Sequence, residues 1–182
     1  MPIFLSTSLP NLITLARLGL VPIIVAMISA QRWKEACVVF ILAGVSDAVD
    51  GWIAKTFDLR TELGAYLDPV ADKALLVSIY VALAVCAVLP STLTIIVVAR
   101  DLMIIGAVII SWLMSKPVEI KPLGISKITT VAQIGLAALV LGAKAFQFPL
   151  GTWFTVGVYV VAGLTLASLA AYLTAWARHM SL

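Results

Sequence analysis

The amino-acid sequence predicts an all-α protein, an integral membrane bundle of six transmembrane helices with both termini on the cytoplasmic side. Three observations carry this. Hydrophobic residues make up 63% of the 182 positions and charged residues 12%, whereas a soluble domain has roughly 25% charged residues. The apolar residues, which set a mean hydropathy of +1.14, collect into six runs, each long enough for the about 20 residues that a bilayer crossing takes. The few basic residues gather on one side of those runs. This composition excludes a soluble globular domain, a disordered tail and a coiled coil. A net charge of +3 is too weak a bias to point to nucleic acid.

Hydropathy and helix breakers set the segments in order. The first runs from about Asn11 to Ser29, with Pro10 marking the turn into it. The second spans about Lys34 to Phe57 and the third about Gly64 to Leu89, where Pro90 ends it. The fourth runs from about Ser91 to Met114 and is stopped by Ser115-Lys116-Pro117. The fifth covers about Ser126 to Phe146, and the sixth about Thr152 to Trp176. The connections at 89–91 and 147–151 are short, so the helices they join should be antiparallel neighbours. No linker interrupts the chain, which reads as one membrane domain over residues 1–182.

The basic residues orient the bundle. Lys55, Arg60, Lys116, Lys121, Lys127 and Arg178 fall on one side, against Arg32, Lys34 and Lys144 on the other. The richer side is cytoplasmic by the positive-inside rule, which turns the second-to-third and fourth-to-fifth connections inward. Trp33 and Trp153 suit interfacial anchoring. Cys37 and Cys86 lie far apart in apolar runs without metal spacing and read as buried structural thiols. No basic region precedes the first apolar run, and Ser6-Thr7-Ser8 delays it, so a cleaved signal peptide is not expected.

The charges are not spread evenly. Nine of them fall within the 27 positions from Asp47 to Lys73; an even spread would put about three there, and charge inside a membrane segment marks function. Asp47 and Asp50 stand at i, i+3 on one face of the second helix, and Asp68 and Asp72 at i, i+4 on one face of the third. At ~1.5 Å per residue, Asp50 lies roughly 10 Å from the helix end at Phe57, and Asp68 and Asp72 roughly 6 and 12 Å beyond Gly64. The two pairs can meet at one depth, just inside the cytoplasmic surface. Four carboxylates there repel one another and resist desolvation unless they share cations. All-oxygen ligands favour hard ions such as Mg²⁺ or Mn²⁺ over zinc. Gly51 and Gly64 flank the acids. A helix glycine costs about 1 kcal/mol relative to alanine, so each serves either close packing or clearance for a ligand.

These residues carry a resemblance. Asp47-Ala48-Val49-Asp50-Gly51-Trp52-Ile53-Ala54-Lys55, eight further residues, then Gly64, Asp68 and Asp72 resemble the signature of the CDP-alcohol phosphotransferases, D-x-x-D-G-x-x-A-R, eight residues, G-x-x-x-D-x-x-x-D. The match covers 26 positions, with one departure: Lys55 stands where the family has arginine. A lysine neutralises a phosphate as a point charge but lacks the planar bidentate fork. Looser similarities extend from Leu9-Pro10-Asn11-Leu12-Ile13-Thr14 with Arg17, through Asp68-Pro69-Val70-Ala71-Asp72-Lys73 and Arg100-Asp101-Leu102-Met103, to Ile125-Ser126-Lys127-Ile128-Thr129-Thr130 with Gln133. They point to the branch that makes cardiolipin or phosphatidylglycerophosphate.

The resemblance implies that an alcohol attacks the β-phosphorus of CDP-diacylglycerol and releases CMP. Two divalent cations, Mg²⁺ or Mn²⁺, would hold the diphosphate through Asp47, Asp50, Asp68 and Asp72, with Asp72 also the candidate catalytic base. Gly51, Ala54, Lys55 and Gly64 are then the CDP- and diphosphate-binding positions. Phosphatidylglycerol is the preferred acceptor and glycerol 3-phosphate the alternative; Arg100 and Lys127 are the candidates for binding the acceptor's phosphate. Arg100 has a second reading, an internal ion pair, and Arg17 is either a snorkelling residue or part of the site lining. The resemblance further implies a homodimer among membrane lipids. The expected location is a bacterial inner membrane, with the site facing the cytoplasm. Two other classes are weighed against this. A membrane prenyltransferase would have two separated Asp-rich motifs on a larger bundle. An ion-binding transporter would show discontinuous helices in paired repeats.

Overall fold

A computed structural model describes residues 3–56, 62–114 and 124–180, and side chains at 15–47, 49, 71–107, 110, 111, 113, 114 and 124–178. Among these residues the chain forms six helices and no strand: α1 (Ile3–Ser29), α2 (Trp33–Thr56), α3 (Glu62–Val85), α4 (Ser91–Leu113), α5 (Gly124–Phe146) and α6 (Gly151–Met180). The six expected segments are present, with shifted ends. Pro10 lies inside α1 instead of starting it. Proline's fixed φ is itself helical; within a helix it forgoes one hydrogen bond and crowds the carbonyl four residues earlier, both of which membrane helices tolerate when the freed backbone groups find other partners.

The other ends have local causes. α3 stops at Val85, short of the expected Leu89, because Ala87 turns left-handed at φ 55°. Gln31 after α1 and Gln147 after α5 do the same, at φ 57° and 56°. At Gln31 the backbone completes a Schellman closure: the Gln31 N–H donates to the Ile28 carbonyl at 2.9 Å and the Arg32 N–H to the Met27 carbonyl at 2.8 Å. Glycine is the usual residue at such a position, and here a side chain occupies it each time. α4 begins on the Pro90 carbonyl, which accepts from Leu93 at 3.1 Å and Thr94 at 3.3 Å.

The helices pack as two compact units. The first comprises α1, α2, α3 and the end of α5, Leu141–Phe148; the second comprises α4, the remainder of α5, and α6. In the first, α1 packs against both α2 and α3. Ile24 and Ile28 of α1 and Ala71, Leu75, Ile79 and Leu83 of α3 are buried there, at spacings that keep each set on one helical face. Cys37 is buried, Cys86 is half-buried, and both are free thiols; the Cys86 thiol donates to the Ile28 carbonyl at 3.6 Å. Lys144, on the end of α5, stands 5.7 Å from the Trp33 ring centroid, a cation–π distance. In the second unit, Leu93 and Val97 of α4, Leu136, Ala137 and Val140 of α5 and Val161 of α6 are buried.

Polarity is inverted relative to a protein in water. Val38, Ile41, Leu42 and Val45 form an outward stripe on α2, each more than half exposed, while Arg17, Arg100, Asp101, Gln133 and Thr165 are buried. Among the described residues, α5 over Gly124–Phe146 and α6 over Gly151–Arg178 are long and apolar enough to cross a membrane. The described apolar part of α1, Leu15–Ser29, is shorter.

The left-handed turns give a stability prediction. A non-glycine residue held there costs roughly 1–2 kcal/mol, part of which glycine's greater chain entropy takes back. Gln31→Gly and Ala87→Gly should each stabilise the fold by about 0.5–1 kcal/mol. Equilibrium unfolding in detergent checks this, and an unchanged or lower midpoint for both contradicts the strain.

Candidate active site

The helical backbone of α2 carries positions 47 and 50, and that of α3 carries 68 and 72, in the registers that place each pair on one face. The side chains of Asp50, Gly51, Ala54, Lys55, Gly64 and Asp68 lie outside the described residues. Asp47 and Asp72 are described, and they meet on a third helix. The Nη1 of Arg17, on α1, lies 2.8 Å from Asp47 Oδ1 and donates to Asp72 Oδ1 at 2.5 Å. These distances set Arg17 against the first and last acids of the motif. A guanidinium that is 2% exposed is not reaching for the interface. It is surrounded because α1 packs on both helices that carry the acids.

The electrostatics follow. Removing a buried cation from water costs several kcal/mol, and paired, hydrogen-bonded carboxylates offset it. Here two acids share one cation and stay about half exposed. The donor set suits a hard cation: carboxylate oxygens from two different helices, with no sulfur or imidazole beside them among the described residues. No group of three or more metal-ligating side chains is found among the described residues, where two of the four aspartates do not appear.

The second unit holds another buried cation. Arg100, on α4, is 1% exposed. Its Nη1 donates to Asp101 at 2.5 Å, and its Nη2 to Ser126 of α5 at 2.5 Å and Ser168 of α6 at 2.9 Å. The Tyr172 ring centroid lies 5.6 Å away. The internal ion pair weighed for Arg100 is therefore present, and it fastens α4 to both neighbouring helices. Lys127, next to Ser126, is exposed. More polar contacts run alongside: Gln133 Nε2 donates to Thr165 Oγ1 at 3.2 Å, Thr129 Oγ1 lies 3.1 Å from the Leu164 carbonyl, and Trp176 Nε1 donates to Ser111 Oγ at 2.8 Å. In an apolar solvent such interhelical hydrogen bonds average about 0.6 kcal/mol each. Sequence reasoning missed Ser168 and Tyr172, whose only signal is their presence in an otherwise apolar helix.

Comparison with known proteins gives a consistent picture. The family model described as CDP-alcohol phosphatidyltransferase matches residues 7–176. The human cardiolipin synthase (CMP-forming) is 34% identical over 157 residues, covering 78% of this chain and 52% of the human protein. The CDP-diacylglycerol–glycerol-3-phosphate 3-phosphatidyltransferase of Bacillus subtilis is 32% identical over 178 residues, 86% of this chain and 91% of that protein. The Drosophila melanogaster protein named probable cardiolipin synthase (CMP-forming) is 30% identical over 179 residues, 90% of this chain and 55% of its own length. The chain thus spans about half the length of the human relative and nearly all of the bacterial one.

The buried pair at Arg100 gives a sharp stability test. Arg100→Met removes the cation paired with the buried Asp101 carboxylate, and breaking a buried pair from one side costs about 3–5 kcal/mol. Arg100→Met with Asp101→Leu should recover most of that loss, since a buried pair and an apolar replacement are often equivalent. Unfolding of the three proteins in detergent measures it; a double variant as unstable as the single one contradicts the account.

Proposed function

The chain belongs to the CDP-alcohol phosphatidyltransferase family, and on that premise we propose that it transfers the phosphatidyl group of CDP-diacylglycerol to a glycerol-containing alcohol, releasing CMP. The observation that carries this is the convergence on Arg17 of Asp47 and Asp72, the first and last acids of the 26-residue motif, from two separate helices. In the reaction the acceptor hydroxyl oxygen forms a bond to the β-phosphorus, the bond from that phosphorus to the oxygen of CMP breaks, and the hydroxyl proton leaves. Asp72, half exposed beside Arg17, is the proposed acceptor of that proton. Lys55 contributes a point charge to the diphosphate, and the positions Gly51, Ala54 and Gly64 leave room for it.

Asp47, Asp50, Asp68 and Asp72 would hold two divalent cations, Mg²⁺ or Mn²⁺, which when bound neutralise the diphosphate and the leaving CMP. The proposed setting is a cell membrane crossed by all six helices, with both termini and the motif on the cytoplasmic side. The outward apolar stripes and the basic residues near the α2–α3 and α4–α5 connections support it. Acyl tails then stay in lipid while the cytidine head reaches water. The homodimer and its inner-membrane location in a bacterium rest on the resemblance alone.

Phosphatidylglycerol is the proposed acceptor, giving cardiolipin, with Lys127 as the candidate contact to its phosphate. Lys127 is exposed, whereas Arg100 contributes by fixing Ser126 beside it. Glycerol 3-phosphate is the second reading, favoured by the near-complete overlap with the Bacillus subtilis relative. Purified full chain, given CDP-diacylglycerol and each acceptor in turn with Mg²⁺ or Mn²⁺, should release CMP and form cardiolipin. Phosphatidylglycerophosphate as the sole product selects the second reading, and no CMP with either acceptor removes both. Asp72→Asn should lower the rate at least about 100-fold, the usual scale of general-base catalysis, in a protein that still folds. Retention of most activity removes the base role.

A further inference from the structure

Arg17 has a geometry that packing alone does not require. Its Nη1 lies 2.8 Å from Asp47 Oδ1 and 2.5 Å from Asp72 Oδ1, so one terminal nitrogen touches acids from two different helices. The cation is 2% exposed, while the carboxylates that it joins are 48% and 47% exposed. Three helices each contribute one charge to this point: α1 the guanidinium, α2 and α3 the acids. A single positive centre between oxygens from different helices is the arrangement that a shared divalent ion adopts in an all-oxygen site.

We propose that Arg17 is a resident counter-cation for this site: it holds Asp47 and Asp72 together while no divalent ion is bound, and yields their oxygens when Mg²⁺ or Mn²⁺ binds. This rests on the divalent-ion reading of the same acids given above. Acids gathered in a largely apolar setting without a cation repel one another and drive their helices apart. Arginine suits the role because it does not lose its proton in proteins, so its positive charge is always in place. Its charge has the same sign as the metal's, so the two compete for the same oxygens. By linkage, whatever stability Arg17 gives the ion-free protein appears as weakened ion binding.

The test uses the full chain in nanodiscs, as wild type, Arg17→Met and Arg17→Gln. Bound Mn²⁺ is read by electron paramagnetic resonance, and unfolding by tryptophan fluorescence, first in EDTA and then along a Mn²⁺ titration. In EDTA both variants should unfold below wild type. With saturating Mn²⁺ the difference should close, and both variants should bind Mn²⁺ about tenfold more tightly, within the usual range of coupling between sites. Equal affinities with parallel midpoints, or weaker binding by the variants, overturn the proposal and leave Arg17 a packing residue. If neither variant folds in EDTA, recovery of folded protein with Mn²⁺ during purification supports the proposal and lack of recovery overturns it. Wild type that binds no Mn²⁺ removes the divalent-ion reading itself, and the proposal with it.

Discussion

The first unit is organised around one buried positive charge. Arg17 cannot reach water from where α1 places it, so its stability depends on Asp47 and Asp72 being delivered to it by α2 and α3. The converse also holds: the acids can approach each other only because a cation stands between them. Each helix therefore constrains the other two at a single point, beyond what apolar contact specifies. Lipid and protein interior are equally apolar, so burying Ile24 or Leu83 does little to choose between alternative helix pairings in a bilayer. A charge that only one arrangement can satisfy does choose.

The second unit meets the same problem with a different composition. Arg100 is matched by the adjacent Asp101 and by hydroxyls from α5 and α6, so its surroundings are close to neutral and closed to solvent. In the Arg17 group the acids stay about half exposed while the cation is buried. Two buried arginines of similar exposure thus take opposite parts. One ties three helices together by hydroxyls and an adjacent acid, and the other joins two half-exposed acids from separate helices.

The acidic pairs were legible in the sequence because helical spacing fixes which positions share a face, and two such pairs in a chain so poor in charge have few explanations. Arg17 was legible as a candidate only, since periodicity on one helix does not say which neighbour that helix packs against. Arg100 was equally ambiguous. Its choice of an internal partner depends on Ser126 and Ser168, which lie 26 and 68 residues away and are unremarkable by themselves. Pro10 was misread as a helix boundary because proline's aversion to helix interiors is calibrated on proteins in water. The left-handed turns at Gln31, Ala87 and Gln147 left no trace in composition, because none of them is glycine.

Those three turns have a consequence for how the chain enters a bilayer. They close α1, α3 and α5, and each returns the chain into the next helix within a few residues, at 30–32, 86–90 and 147–150. In the proposed topology only these short pieces are translocated. Of the connecting charges, Arg32 alone lies within one, and Glu35 sits 3.0 Å from it. The charge-rich stretches of sequence around Asp58, Arg60, Lys116 and Lys121 would, in that topology, stay on the side of synthesis. Little polar backbone in the three short connections would then have to cross the lipid.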